Sequence, residues 1–103
     1  GVYISPDENY GFIVDTYSHQ IRKFIISTLE VSSFIGSIQG SVNGIGTNSK
    51  FYLPTSISIS TDGNFALIAD QSNNQIRKVI ISTTVVSLLA GGVNYGSTNG
   101  IGT

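Results

Sequence analysis

The sequence predicts an all-β fold: two four-stranded antiparallel sheets, one following the other along the chain. Three observations carry this. The tetrapeptide Gln-Ile-Arg-Lys occurs twice, at 20–23 and 75–78, and its surroundings repeat with it. The apolar runs are about six residues long, rich in β-branched side chains and closed by Asp, Asn, Ser or Gly, which favours strands over helices. Runs such as Phe65-Ala66-Leu67-Ile68-Ala69 are apolar at successive positions, so the sheets need cover on both faces.

Sliding the chain by 55 residues superposes Ile4-Ser5 on Ile59-Ser60, Asp7 on Asp62, Asn9 on Asn64, and Asp15 on Asp70. The same shift brings Ile25-Ile26-Ser27-Thr28 onto Ile80-Ile81-Ser82-Thr83, Val31-Ser32 onto Val86-Ser87, and Gly36 onto Gly91. Beyond Gly36 the register slips by one, and Asn-Gly-Ile-Gly-Thr at 43–47 returns at 99–103. A one-residue insertion in a Gly-rich stretch is what a surface loop tolerates.

In the first unit the strands fall at 2–5, 10–15, 20–27 and 29–36. The second unit follows with 56–60, where Ile57 and Ile59 alternate with serines, then 65–70, 75–82 and 83–91. Asp62-Gly63 supplies the left-handed backbone of a tight hairpin, and Gln-Ser-Asn-Asn at 71–74 makes the next turn. The expected organisation is a first sheet at 1–36, a Gly-rich connection at 37–55, a second sheet at 56–91, and the start of another connection at 92–103. A repeat of this length marks solenoid and propeller architectures, in which stacked copies cover each other's faces.

The 103 residues carry five Lys and Arg against six Asp and Glu, too few and too balanced for a nucleic-acid or anionic-membrane footprint. No apolar run is long enough to span a bilayer as a helix. The absence of Cys excludes disulfides, thiol nucleophiles and thiolate metal sites. Abundant Ser, Thr, Asn and Gly with few charges suits an extracellular or cell-surface protein, although no Asn-x-Ser/Thr glycosylation acceptor occurs. The lack of any Met, with the phase of the repeat at both ends, predicts a window cut from a longer array, or subunits joined head to tail.

The stretch from Asn48 to Val79, together with the strings at 85–92 and 96–103, resembles the NHL-repeat family of β-propeller blades, and the resemblance covers essentially the whole chain. Phe51-x-x-Pro54, Asp62-Gly63-Asn64, Ala69-Asp70, Asn73-Asn74 and Ile76-Arg77-Lys78 match its pattern position by position. In the first unit Asp7, Asn9, Asp15, His19 and Ile21-Arg22-Lys23 do the same. Thr55-Ser56-Ile57 stands where the family has Gly-Ile-Ala, and Asn43 and Asn99 stand where it has an acid. The resemblance implies two four-stranded blades belonging to a larger propeller or repeat array, since a ring closes with about four to eight blades.

Some enzymes share this family's fold, and the resemblance implies that their metals sit at the propeller centre on His or carboxylates from several blades. This chain has one His, His19, in a polar turn, and no Ser-His-Asp set, paired carboxylates, P-loop or dinucleotide fingerprint. No catalytic residue, metal or cofactor is therefore expected. The expected role is a non-catalytic scaffold for protein or glycan interaction or self-assembly, or else a repeating subunit of an extracellular filament, with blades of a propeller hydrolase or lyase as the third alternative. Expected partners are neighbouring blades or copies of the chain, with protein or glycan ligands.

Candidate contacts are Tyr17, Tyr95, Asn43 and Asn99 in loops, although Asn43 and Asn99 recur and so also suit packing against the next blade. Asp15, Arg22, Asp70, Arg77, Phe51 and Pro54 are read as structural repeat positions. The hairpin between strands two and three of each unit brings Asp15 near Arg22 and Asp70 near Arg77. An ion pair or a carboxylate-capped turn is expected there, worth about 0–1 kcal/mol if exposed.

Overall fold

In the computed structural model, which describes residues 1–92, each unit folds as an antiparallel meander. The first sheet orders β1 (Val2–Ile4), β2 (Tyr10–Asp15), β3 (Gln20–Ile25) and β4 (Val31–Gly36) side by side. The second contains β6 (Pro54–Ile59), β7 (Phe65–Asp70), β8 (Gln75–Ile80) and β9 (Val85–Gly91) in the same order. A fifth strand, β5 (Gly44–Ile45), pairs with the outer edge of β9, Gly44 opposite Val86 and Ile45 opposite Val85. The Gly-rich connection thus gives a strand to the sheet that follows it. The sequence reading had four strands there, because a two-residue strand leaves no periodicity to read.

The turns repeat as faithfully as the strands. Left-handed backbone recurs at Glu8 and Gly63, His19 and Asn74, Leu29 and Thr84, and Gly36 and Gly91, each pair 55 residues apart. Both β1–β2 type hairpins are closed by a Ser-x-Asp-x-Asn set. The Ser5 hydroxyl donates to Asp7 Oδ1 at 2.6 Å and Ser60 to Asp62 Oδ1 at 2.7 Å, while the Asn9 and Asn64 amides donate to the same oxygens at 3.0 Å. These hydroxyl and amide bonds hold both carboxyls below the usual carboxylate range.

The register assigns each sheet two faces. On the first, Phe12, Val14 and Ile21 point one way, while Val2, Ile13, Arg22 and Ser33 line up on the other. The equivalent row on the second sheet is Ile57, Ile68, Arg77 and Leu88. β2 lies against β6, so the Phe12 face of the first sheet meets the Ile57 face of the second. One core results, in which Phe12, Ile21, Ile35, Phe51, Ala66, Ile68 and Val79 are fully buried. The same residue position therefore looks outward in the first sheet and inward in the second. Val2 and Ile4 stay 64% and 50% exposed, whereas Ile57 is 3% exposed. Among the described residues, no helix is long and apolar enough to cross a membrane.

Candidate functional site

The two Gln-Ile-Arg-Lys segments show what the repetition is for. Each Lys leans over the aromatic ring that opens strand two of its own sheet, Lys23 over Tyr10 and Lys78 over Phe65, both at 4.7 Å from the centroid. Each Arg, on the opposite face, pairs with the Asp that ends strand two. Arg22 Nε reaches Asp15 Oδ2 at 3.2 Å, and Arg77 Nη1 reaches Asp70 Oδ2 at 2.9 Å. Of the two arrangements expected there, the ion pair forms, and neither Asp caps the 3-10 turn that follows it.

The two pairs differ in their surroundings. Arg22 and Asp15 are 39% and 35% exposed, as expected for a surface pair, but Arg77 and Asp70 are 1% and 0% exposed. Sequence reasoning had valued both as exposed pairs, and the second is corrected here: it is buried because the Gly-rich connection folds over it. Arg77 Nη1 also donates to the Lys50 carbonyl at 2.9 Å, and Nη2 donates to the Val42 carbonyl at 2.8 Å and to Asn43 Oδ1 at 3.0 Å. The guanidinium carbon sits 4.7 Å from the Phe51 ring centroid. Asp70 accepts from the Tyr52 amide at 2.7 Å and from Asn73 Nδ2 at 2.8 Å, and Asn73 bonds the Gly40 carbonyl at 2.7 Å. Arg77 Nε alone has no partner among the described residues.

This cluster is a clamp. A planar guanidinium with five donors in fixed directions suits three acceptors on one loop and a carboxylate at once. Burying the charges is offset because nearly every donor and acceptor is matched. Phe51 and Pro54, both buried, anchor the return of the connection, and Ser49 pins its middle. The Gly36 amide donates to Ser49 Oγ at 3.1 Å, and that hydroxyl donates to the Gly46 carbonyl at 2.6 Å.

Asn43, expected as either a ligand contact or a packing residue, is exposed but commits its side-chain oxygen to Arg77. Tyr17 is 88% exposed at the tip of the turn between β2 and β3. Tyr95 and Asn99 lie outside the described residues. His19 occupies the left-handed position closing the Tyr17 turn, and its Nδ1 accepts the Leu53 amide at 3.1 Å. Among the described residues, no group of three or more His, Asp or Glu is placed to hold a metal.

Sequence reasoning missed Asn73, Ser49 and the acceptor role of His19. Asn73 belongs to the matched motif and has Ser18 as its counterpart in the first unit.

No protein-family model matches the chain. Among curated proteins, it is similar to NHL repeat-containing protein 2 of Homo sapiens, 28% identical over 93 residues, and of Bos taurus, 30% identical over 91. The match covers 86% and 85% of this chain, which spans only 12% of the length of each relative. Among solved structures, a Bacteroides thetaiotaomicron structural-genomics protein of unknown function superposes with a TM-score of 0.80 at 22% identity, over 93% of this chain and 24% of that one. An auxiliary nutrient binding protein from Bacteroides ovatus gives 0.76 at 17% identity, over 87% of this chain and 25% of that one. At such identities these structures speak for the fold alone. Motif, blade geometry and curated relatives agree that this chain carries two tandem repeats of the NHL β-propeller type.

Proposed function

We propose that the chain is a non-catalytic β-propeller scaffold whose blades present loops to a protein or glycan partner outside the cell. The observation that carries the reading is Tyr17. Among the described residues it is the most exposed of the large hydrophobic side chains, on a turn fixed from beneath by the His19–Leu53 hydrogen bond. A rigidly mounted aromatic ring with a phenolic donor is the side chain that protein and sugar surfaces both engage. Asp15 and His19 beside it are committed to scaffold bonds, and low charge with abundant Ser, Thr and Gly fits an extracellular or cell-surface setting.

The test is a glycan array probed with the labelled chain, followed by titration of the strongest binder. Saturable binding that Tyr17→Ala weakens by about 10-fold supports the proposal. Binding indifferent to Tyr17 moves the contact elsewhere, and turnover of ester or phosphate-ester substrates by the purified chain overturns the non-catalytic reading.

Assembly is a second reading, favoured by the far face of the second sheet. There Leu67, Ala69, Ile76 and Leu89, with Val2 and Ile4 of the first sheet, line a broad open hollow. In stacked-sheet folds such a face is covered by the next blade.

A further inference from the structure

We infer that the His19–Leu53 hydrogen bond is an acid-labile joint between the two blades. Protonation of the His19 imidazole frees the connection from the first blade, while the second blade keeps its hold on it.

The connection passes from one blade to the other within a single peptide step. The Tyr52 amide donates to Asp70 Oδ1 at 2.7 Å and the Tyr52 carbonyl accepts the Ser72 amide at 3.1 Å, so this residue is held by the second blade. The next amide, that of Leu53, donates to His19 Nδ1 at 3.1 Å, in the turn between β2 and β3 of the first. Leu53 has a φ of 50°, a left-handed backbone that a bulky side chain adopts only where its surroundings impose it. The bond to His19 is one of those restraints, flanked by the Tyr52 bonds on one side and buried Pro54 on the other.

An imidazole accepts at Nδ1 only while that nitrogen is bare, which puts the ring proton on Nε2. A proton taken up at Nδ1 sets a donor against the Leu53 N–H, and the bond is lost. No unengaged carboxylate stands by to receive it. Among the described residues, β4, β6 and the turn at Gln71–Asn73 carry no titratable side chain. The connection at 37–55 brings only Lys50 and Tyr52, whose ring centroid lies 5.8 Å from that of His19. On the first blade the nearby groups are Asp15, Tyr17, Arg22 and Lys23, and across the connection Asp70 and Arg77. Both acids are already paired, Asp15 with Arg22 and Asp70 with Arg77. The bonded state thus excludes a proton that the open state takes up. What the joint contributes is present above the imidazole range and lost as pH falls through it, from about 7.5 to about 5.5.

The experiment is an NMR titration of the full chain over that interval, which stays above the ordinary carboxylate range of about 4. At the upper end the imidazole nitrogen signals should show a proton on Nε2 and none on Nδ1. As His19 titrates, the Leu53 amide should lose at least about 10-fold of its protection from hydrogen exchange, corrected for the intrinsic rate, while Tyr52 keeps its own. His19→Asn installs the side chain that the second blade has at the equivalent left-handed position, Asn74, and should remove the pH dependence at Leu53. Protection at Leu53 that stays constant through the titration overturns the inference, as does an equal change in His19→Asn. Loss at Tyr52 together with Leu53 overturns it too, because acid would then be opening both blades at once.

Discussion

Arg77 and Arg22 occupy the same repeat position, so one substitution made at both sites isolates what the surroundings contribute. Arg77→Met keeps much of the side-chain volume and leaves the thioether against the Phe51 ring. It strands Asp70, fully buried, with only the Tyr52 amide and Asn73 as partners, and removes the donor from the Lys50 and Val42 carbonyls. Breaking one side of a buried ion pair costs about 3–5 kcal/mol. Arg22→Met breaks a pair more than one-third exposed on both sides, where the loss is about 0–1 kcal/mol. A domain of this size has about 5–15 kcal/mol in hand, so the first variant is marginal and the second is not. In urea titrations with a slope of about 1–1.5 kcal/mol/M, the Arg77→Met midpoint should fall by about 2–5 M and that of Arg22→Met by about 1 M at most. The double variant Asp70→Asn/Arg77→Met should recover part of the loss, because the uncompensated charge is gone. Equal shifts at the two arginines would refute the argument that the connection, and not the pair itself, sets the energy.

Two further outcomes follow from the turns. Gly36 and Gly63 both hold positive φ, at 87° and 75°, but a Cβ on Gly36 would stand 2.5 Å from the His19 carbonyl oxygen while one on Gly63 meets nothing within 4 Å. Gly63→Ala should therefore cost only the left-handed strain, about 1–2 kcal/mol, and Gly36→Ala more than that, read from thermal midpoints. The Asp7 and Asp62 carboxyls are held low chiefly by the Ser5 and Ser60 hydroxyls, so what they contribute is present above the unfolded-state carboxylate pKa and lost as pH falls through the depressed folded value. Ser60→Ala should move Asp62 back toward its ordinary value and leave Asp7 unchanged, as an NMR titration of the two carboxyls would show.

Strands were the legible part of this molecule. Ile57 and Ile59 alternate with serines, and Tyr10–Asp15 and Phe65–Asp70 end where an acid closes an apolar run, so period and punctuation placed them without help. What the sequence could not rank was the pair of arginines. Arg22 and Arg77 sit in identical tetrapeptides, and their difference lies in a loop 27 to 35 residues away in sequence that covers one and not the other. Burial created by a distant segment leaves no local signal. The same holds for β5, whose Gly and Ile become a strand only because β9 offers an open edge beside them. His19 illustrates a related gap: its place in a polar turn was readable, but its bond to the Leu53 amide depends on where the connection returns.

The clamp also bears on how the chain comes apart. Its bonds join residues 40–52 to residues 70–77, so the exit of the first blade and the hairpin of the second cannot open independently. The two repeats should melt in one cooperative step, with the amides of Gly40, Val42 and Tyr52 exchanging with solvent at the rate of global unfolding. The outer strand β4, outside the clamp, should exchange much faster through local opening. Closing a loop of this span must precede the reward of those bonds, which makes docking of the connection the natural slow step in folding.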